Sequence, residues 1–134
     1  MAVTERTHRL VLHCFIVRSG GHWGAAVLLA ETEPGQAEFP WVTVHPHELD
    51  DEPALVERIG AATGLHVSIA RFLDPPTGSD VGPPGSRFVL ARAARGEPRL
   101  SQPYVGWEWR PQSELAFGFV PPSMANELRQ FMSG

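Results

Sequence analysis

Apolar residues along this chain fall into short runs that glycine, proline and polar residues separate. Residues 8–18 and 23–30 are two such runs, on either side of Ser19-Gly20-Gly21. This arrangement predicts a β-hairpin, and apolar side chains on both faces of each run indicate a sheet that is covered on both sides. Further β-type runs predict a short strand or extended segment over 39–44 and strands over 66–73, 87–93 and 104–110. Polar residues with proline and glycine predict loops over 31–38 and 74–86.

Two helices are predicted from apolar spacing and from capping residues. Asp50 and Asp51 are candidate N-caps, Pro53 suits a first helical turn, and Gly64 suits the C-terminal end. Between these caps, three apolar residues repeat at helical spacing: Leu55, Ile59 and Ala62. A second helix is predicted over residues 123–132, with an inner face made by Met124, Leu128 and Phe131. The order β-β-β-α-β-β-β-α predicts a single domain, residues 1–134, in which helices sandwich a mixed sheet.

The composition narrows the classes of function. The chain has 134 residues, a formal net charge of −4 and 11 cationic residues, all of them arginine. The negative charge argues against a groove that follows nucleic-acid phosphates and against attraction to an anionic membrane. The absence of lysine excludes lysine Schiff-base chemistry and a Walker-type phosphate lysine. Usage rich in arginine, alanine, glycine and proline suggests a GC-rich bacterial genome.

The single cysteine and the N-terminal sequence bear on cellular location. Cys14 has no partner for an internal disulfide or a thiolate zinc cluster, and its apolar surroundings predict a buried structural thiol. The first nine residues lack the basic-then-apolar order of a signal peptide. No apolar run approaches the ~20 residues that cross a bilayer. We therefore expect a soluble, cytoplasmic protein without a membrane partner.

Residues 39–48 and 54–65 together resemble a Nudix box, whose pattern is G-x5-E-x7-R-E-U-x-E-E-x-G-U with U aliphatic. Phe39-Pro40 matches the start of the turn that precedes the box, and Thr63-Gly64-Leu65 matches its end. Glu48 matches the first box glutamate if one residue is inserted before the helix. A second stretch, Trp107 to Leu115, resembles the W-x-P-x-x-E-L sequence that many family members carry after their last strand.

The resemblance implies a Nudix-like α/β/α sandwich around a mixed β-sheet, and members of this family are often dimers. In the family, box glutamates bind magnesium or manganese, which activates water against a diphosphate linkage. Residues at i, i+3 and i+4 share one helix face, where three carboxylates can supply the oxygen ligands of a hard cation. The matching positions here hold Arg58, Ala61 and Ala62, and the family's Arg-Glu has become Glu57-Arg58. Since an arginine repels the metal and alanine cannot ligate it, we expect no metal cofactor.

Three functions remain open at this point. The first is a non-hydrolytic binding or accessory protein for a nucleotide-like or other small molecule. The second is a diverged enzyme, either a phosphohydrolase with relocated ligands for Mg²⁺ or Mn²⁺ or a catalyst acting on another small metabolite. The third is an interaction protein in which Trp41 fills the former pocket. A homodimer is compatible with each of them, and nucleic acid is not an expected partner.

The candidate site residues follow from the box. Arg58 either pairs with a ligand phosphate or remains a solvated helix residue, whereas Glu48 and Glu57 are remnants of the box to which we assign no catalytic role. Trp41 stands where the family has glycine at the substrate mouth, so it either plugs the site or provides a stacking platform. Arg87 opens a strand and points either into the same cleft or to the surface.

Two further groups of residues have alternative interpretations. His45 and His47 precede the helix together with acidic residues at 48 and 50–52. This polar segment is either a set of ligand contacts, including a relocated metal site, or a loop that caps the helix. Trp107 and Trp109 share one face of a predicted strand, and we expect that pair to pack in the core.

Overall fold

A computed structural model describes residues 10–18, 25–34, 36–73, 87–93, 96–100, 104–111 and 122–133. The strands are β1 (Leu10–Arg18), β2 (Ala26–Glu33), β3 (Gln36–Glu38), β4 (Trp41–Val44), β5 (Val67–Leu73), β6 (Arg87–Ala93) and β7 (Gly106–Pro111). A 3₁₀ helix, η1, spans Pro46–Asp50, and the α-helices are α1 (Glu52–Thr63) and α2 (Pro122–Ser133). The predicted Gly-Gly turn, the 74–86 loop and the Met124 side chain lie outside the described residues.

Strand β1 lies at the centre of a seven-stranded mixed sheet. It runs parallel to β6 and antiparallel to β2 and β4. Strand β6 pairs antiparallel with β5, and β2 pairs antiparallel with both β3 and β7. The predicted hairpin is confirmed, because Val17 and Arg18 pair with Val27 and Ala26.

The loop predicted over residues 31–38 is wrong for most of its length. Strand β2 continues to Glu33, and the chain returns as β3 along Gln36–Glu38. The register shifts between Glu31 and Glu33, and most side chains of this outer part of the hairpin are partly or fully exposed. Such a segment buries no apolar face, so the period-two signal that identifies a strand is missing from its sequence.

Helix α1 begins and ends close to the predicted residues. The Asp51 carboxylate accepts a hydrogen bond from Ala54 N at 3.2 Å and is the N-cap, whereas Asp50 belongs to η1. At the other end, Gly64 has a φ of 75° and donates its N–H to Gly60 O at 2.7 Å. A left-handed residue in this position is the common way for a helix to end, and glycine adopts it without a steric penalty.

The sheet is covered on both faces, which confirms the α/β/α sandwich. Leu128 and Met132 of α2 close one core with buried residues of the sheet: Phe15, Val17, Val27, Leu29, Phe39, Phe88 and Leu90. Leu55 and Ile59 of α1 close the other, whose buried sheet residues are Leu12, Cys14, Ile16, Leu28, Val42, Val44, Val67, Val89 and Ala91. The alternation along β1 between Cys14 and Phe15 sends neighbouring side chains to opposite cores.

Single-residue predictions about the core have mixed outcomes. Cys14 is fully buried, and burial raises the pKa of its thiol to about 12, which confirms a structural thiol. Trp109 packs at the margin of the α1 core, with the Arg18 guanidinium 4.3 Å from its ring centroid. The core prediction is wrong for Trp107, which is 39% exposed, because no described element covers that part of β7. No helix within the described part of the chain is long and apolar enough to span a membrane.

Candidate functional site

The site begins with Glu48, a buried carboxylate in η1 that is only 8% exposed. Its Oε1 accepts the backbone N–H of His45 at 2.8 Å, and its Oε2 accepts the Nε–H of Arg58 at 2.6 Å. The sequence brings these groups together because β4 leads directly into η1, and η1 leads into α1. Glu48 is therefore fixed by one main-chain donor and one charged donor from the helix that follows.

The ion pair between Glu48 and Arg58 controls the electrostatics of this site. The hydrogen bond from Arg58 is the main cause that lowers the pKa of Glu48, and the His45 N–H acts in the same direction. Glu48 in turn raises the pKa of Arg58. The Arg58 side chain is 40% exposed while that of Glu48 is 10% exposed, so the pair spans the boundary between the protein and solvent.

A pocket of about 380 Å³ opens at this ion pair. It is lined by Glu48, Ala54, Glu57, Arg58 and Ala61. The four helix residues follow i, i+3, i+4 and i+7 spacing and so form one face of α1. Two carboxylates and one guanidinium give this lining a formal charge of −1.

The face of α1 that lines the pocket differs from the predicted face at Ala62. The resemblance predicts that positions 58, 61 and 62 share the site face. In the structure Ala62 packs against the α1 core, whereas Glu57 lines the pocket with Arg58. The reason is that α1 presents Leu55, Ile59 and Ala62 to the sheet, which rotates Glu57 toward the open side.

The donor set at this pocket does not fit a divalent metal. The positions that the sequence resemblance assigns to the family's metal ligands hold Arg58 and Ala61, and the Arg58 guanidinium is already bonded to the buried carboxylate of Glu48. Among the described residues, no group of three or more histidine, cysteine, aspartate or glutamate side chains could hold a metal ion. The segment from His45 to Glu52 does not gather its acids and imidazoles at one point. Instead the rings of His45 and His47 stack, with centroids 5.5 Å apart.

The other predicted site residues do not line this pocket. Trp41 is 41% exposed on β4 and does not belong to the lining of this pocket. Arg87 lies at the start of β6 with its guanidinium 5.2 Å from the Phe72 ring centroid, also outside the lining. His45 contributes its main-chain N–H, and His47 is exposed.

Sequence reasoning missed two groups of residues. Ala54 lines the pocket, and helical spacing from Arg58 could have identified it. Glu38 accepts hydrogen bonds from Trp41 and from Tyr104, which is 66 residues away in the chain. No local pattern signals a partner at such a distance.

Comparisons with known proteins find similarity in structure alone. No protein-family model matches the sequence, and no curated protein sequence matches it. A C. elegans Ap4A hydrolase superposes with a TM-score of 0.65 at 18% identity, covering 94% of this chain and 96% of that one. A NUDIX-family hydrolase from Clostridium perfringens gives 0.60 at 15% identity, covering 92% and 95%. An ADP-ribose pyrophosphatase from Streptococcus suis gives 0.59 at 18% identity, covering 95% and 91%. Identities of this size establish the shared fold only.

Proposed function

We propose that this chain, which has a Nudix-like fold, is a non-hydrolytic binding protein for a small phosphate-bearing molecule such as a nucleotide. The observation that carries the proposal is the 2.6 Å bond between Arg58 and Glu48 within the α1 pocket. It places a fixed protein cation beside the buried carboxylate, at the position where a Nudix box has a metal-binding glutamate.

The absence of a suitable ligand set argues against metal-assisted hydrolysis. A divalent cation near Glu48 would meet the positive charge of Arg58 and the methyl group of Ala61. Hard cations need several oxygen ligands, and a bound metal typically supplies several kcal/mol of transition-state stabilisation. A pocket without those ligands loses that contribution but keeps its shape and its access to solvent.

The geometry of Arg58 suits an anionic group. Glu48 uses the single Nε–H, and no other residue in the described ranges hydrogen-bonds the Nη atoms of Arg58. A guanidinium held at Nε has its planar edge oriented in advance, and that edge matches two phosphate oxygens. Glu57 opposes an anion from the same helix face. We therefore expect Glu57→Gln to tighten phosphate binding and Arg58→Ala to abolish it.

Calorimetric titration tests this proposal. The probes are Ap4A and ADP-ribose, which appear in the names of two structural neighbours, together with nucleoside diphosphates. Each is titrated with EDTA and again with Mg²⁺ or Mn²⁺. We expect binding that is independent of metal and is lost in Arg58→Ala. Arg110→Ala is the matched control, since it also removes an arginine from an ion pair, here with Glu108, outside the pocket. Equal affinity of wild type and Arg58→Ala would refute the proposal.

One observation favours the alternative of a diverged enzyme. Glu48 and Glu57 both line the pocket, so two carboxylates remain within reach of a bound molecule. Phosphate release is therefore assayed in parallel with the titrations. Turnover that requires Mg²⁺ or Mn²⁺ and falls in Glu57→Gln would establish the enzyme and exclude the binding protein.

A further inference from the structure

A second cluster of polar and aromatic residues lies where the sheet divides. Strand β1 pairs with β2 at Val17 and Arg18 but with β4 from Leu10 to His13, and Cys14 N donates to Pro40 O at 2.7 Å between the two pairings. At this division the Glu38 carboxylate lies among aromatic side chains. We define the fork cluster as Glu38, Trp41, Tyr104 and His13.

Glu38 connects the members of the fork cluster. Its Oε2 accepts the indole Nε1–H of Trp41 at 2.9 Å and the hydroxyl of Tyr104 at 3.2 Å. His13 pairs with Trp41 across β1 and β4, and its ring stacks on Phe88 with centroids 4.9 Å apart. Both donors to Glu38 are neutral, and both bond to one oxygen of the carboxylate.

Glu38 forms no ion pair with a cation among the residues that the structure describes. Within the described ranges, the ion pairs involve Glu48, Glu108 and Glu127 but not Glu38. Burial lowers the pKa of His13, with Glu38 opposing only part of the effect, so the imidazole is neutral near pH 7. Its Nε2 is buried and has no hydrogen-bond partner among the described residues. Burial and the nearby Glu38 charge also raise the pKa of Tyr104, which keeps the phenol a neutral donor.

The aromatic residues around this charge are accessible from solvent. Trp41 is 41% exposed, and Glu38, Tyr104 and His13 are half-buried. Aromatic faces carry negative potential, and a tryptophan face is the strongest of them for attracting a cation. Glu38 contacts the N–H edge of Trp41, so a cation placed over the exposed tryptophan face would also lie near a carboxylate. We propose that the fork cluster is a binding site for a small organic cation, either a quaternary ammonium or a guanidinium.

The chemistry of this site differs from that of the α1 pocket. The Arg58 pocket offers a cation to an anionic ligand, whereas the fork cluster offers a carboxylate and aromatic faces to a cationic one. The two proposals rest on different residues, so either can fail without the other. A structural role as a hydrogen-bond acceptor explains Oε2 of Glu38, but an amide oxygen would serve that role as well, and it gives no reason for a carboxylate that has no ion-pair partner within the described ranges.

NMR titration of the full chain with small cations provides the test. The four tryptophans give separate indole resonances, and Trp41→Phe identifies the one from Trp41. The probes are choline, methylguanidine and dimethylbutanol, which has the shape of choline without its charge. We expect the two cations to shift the Trp41 indole resonance to saturation and the neutral compound to leave it unchanged. Failure of both cations to shift it, or an equal effect of dimethylbutanol, overturns the proposal using wild-type protein alone.

Charge-neutral variants then locate the site. Glu38→Gln keeps an oxygen acceptor for Trp41 and Tyr104 but removes the charge, and we expect cation affinity to fall by about tenfold. Glu33→Gln is the matched control, because Glu33 is an exposed glutamate of the same β2–β3 hairpin. Wild-type affinity in Glu38→Gln, or an equal loss in both variants, contradicts a specific role for the fork cluster.

Discussion

Replacing Glu48 by alanine removes the two hydrogen bonds that its carboxylate accepts, one from the His45 N–H at the start of η1 and one from Arg58 of α1. The His45 N–H, 2.8 Å from Oε1, loses its protein acceptor; an unsatisfied donor costs about 1–3 kcal/mol when buried, and this one is partly buried. Since Glu48 is 8% exposed, water replaces the lost acceptor poorly. We expect Glu48→Ala to lower the free energy of unfolding by about 2 kcal/mol. At about 4 °C per kcal/mol for a chain of this size, Tm falls by about 8 °C.

Urea denaturation followed by circular dichroism measures this loss. Glu48→Gln retains an acceptor for His45 and should lose clearly less stability than Glu48→Ala. Glu57→Ala is the control on the exposed side of α1, with an expected change within about 0.5 kcal/mol. Arg58 lowers the pKa of Glu48 below 4.5, so the contribution of Glu48 is present above pH 4.5 and is lost as pH falls below it. If Glu48→Ala and Glu57→Ala are equally stable, the reasoning is refuted.

Three further perturbations test other parts of the structure. Gly64→Ala forces a Cβ to within 2.9 Å of Arg99 at a φ of 75°, so we expect a loss of about 1–2 kcal/mol in chemical denaturation, and an unchanged midpoint would contradict it. Burial lowers the folded-state pKa of His13 below 6.5, so the unfolded chain binds the proton first as the pH falls. The free energy of unfolding therefore loses nothing to His13 above pH 6.5 and decreases below it by up to about 1.4 kcal/mol per pH unit. His13→Phe should flatten that component of the pH dependence, and an identical profile would exclude His13 as its source. In thermal melts, Mn²⁺ should leave wild-type Tm unchanged but raise that of Arg58→Glu with Ala61→Glu, because the double variant removes the guanidinium and adds two carboxylates to those of Glu48 and Glu57.

Helix α1 and the layer order could be predicted because their signals are local. Asp51 caps one end of α1 with its side chain and Gly64 ends the other with a left-handed backbone, and both act within four residues, whereas Leu55 and Ile59 repeat on the buried face. Apolar residues on both faces of β1 indicated a sheet that is covered on both sides, and the two cores confirm it. These features depend on periodicity and capping, which one sequence displays directly.

The outer β2–β3 hairpin and the site could not be predicted, because they depend on contacts between residues that no local sequence pattern indicates. Strand β3 is three residues long and gains its structure from pairing with β2. Glu57 faces the pocket because of how α1 is rotated about its axis on the sheet. Helical spacing alone leaves that rotation undetermined by about one residue, or 100°. The contact between Glu38 and Tyr104 joins the second quarter of the chain to the last.

The pairing of Arg58 with Glu48 changes what the remaining box glutamate means. A buried carboxylate needs a compensating charge, which a metal supplies in a ligated site and a guanidinium supplies here. Glu48 is thus required by Arg58 and by the His45 N–H, whatever chemistry the pocket performs. Its presence at the first box position is therefore no evidence for catalysis. Under the proposed binding function, Arg58 and Glu57 are the pocket residues that would recognise a ligand, and charge-changing variants at those two residues separate binding from hydrolysis.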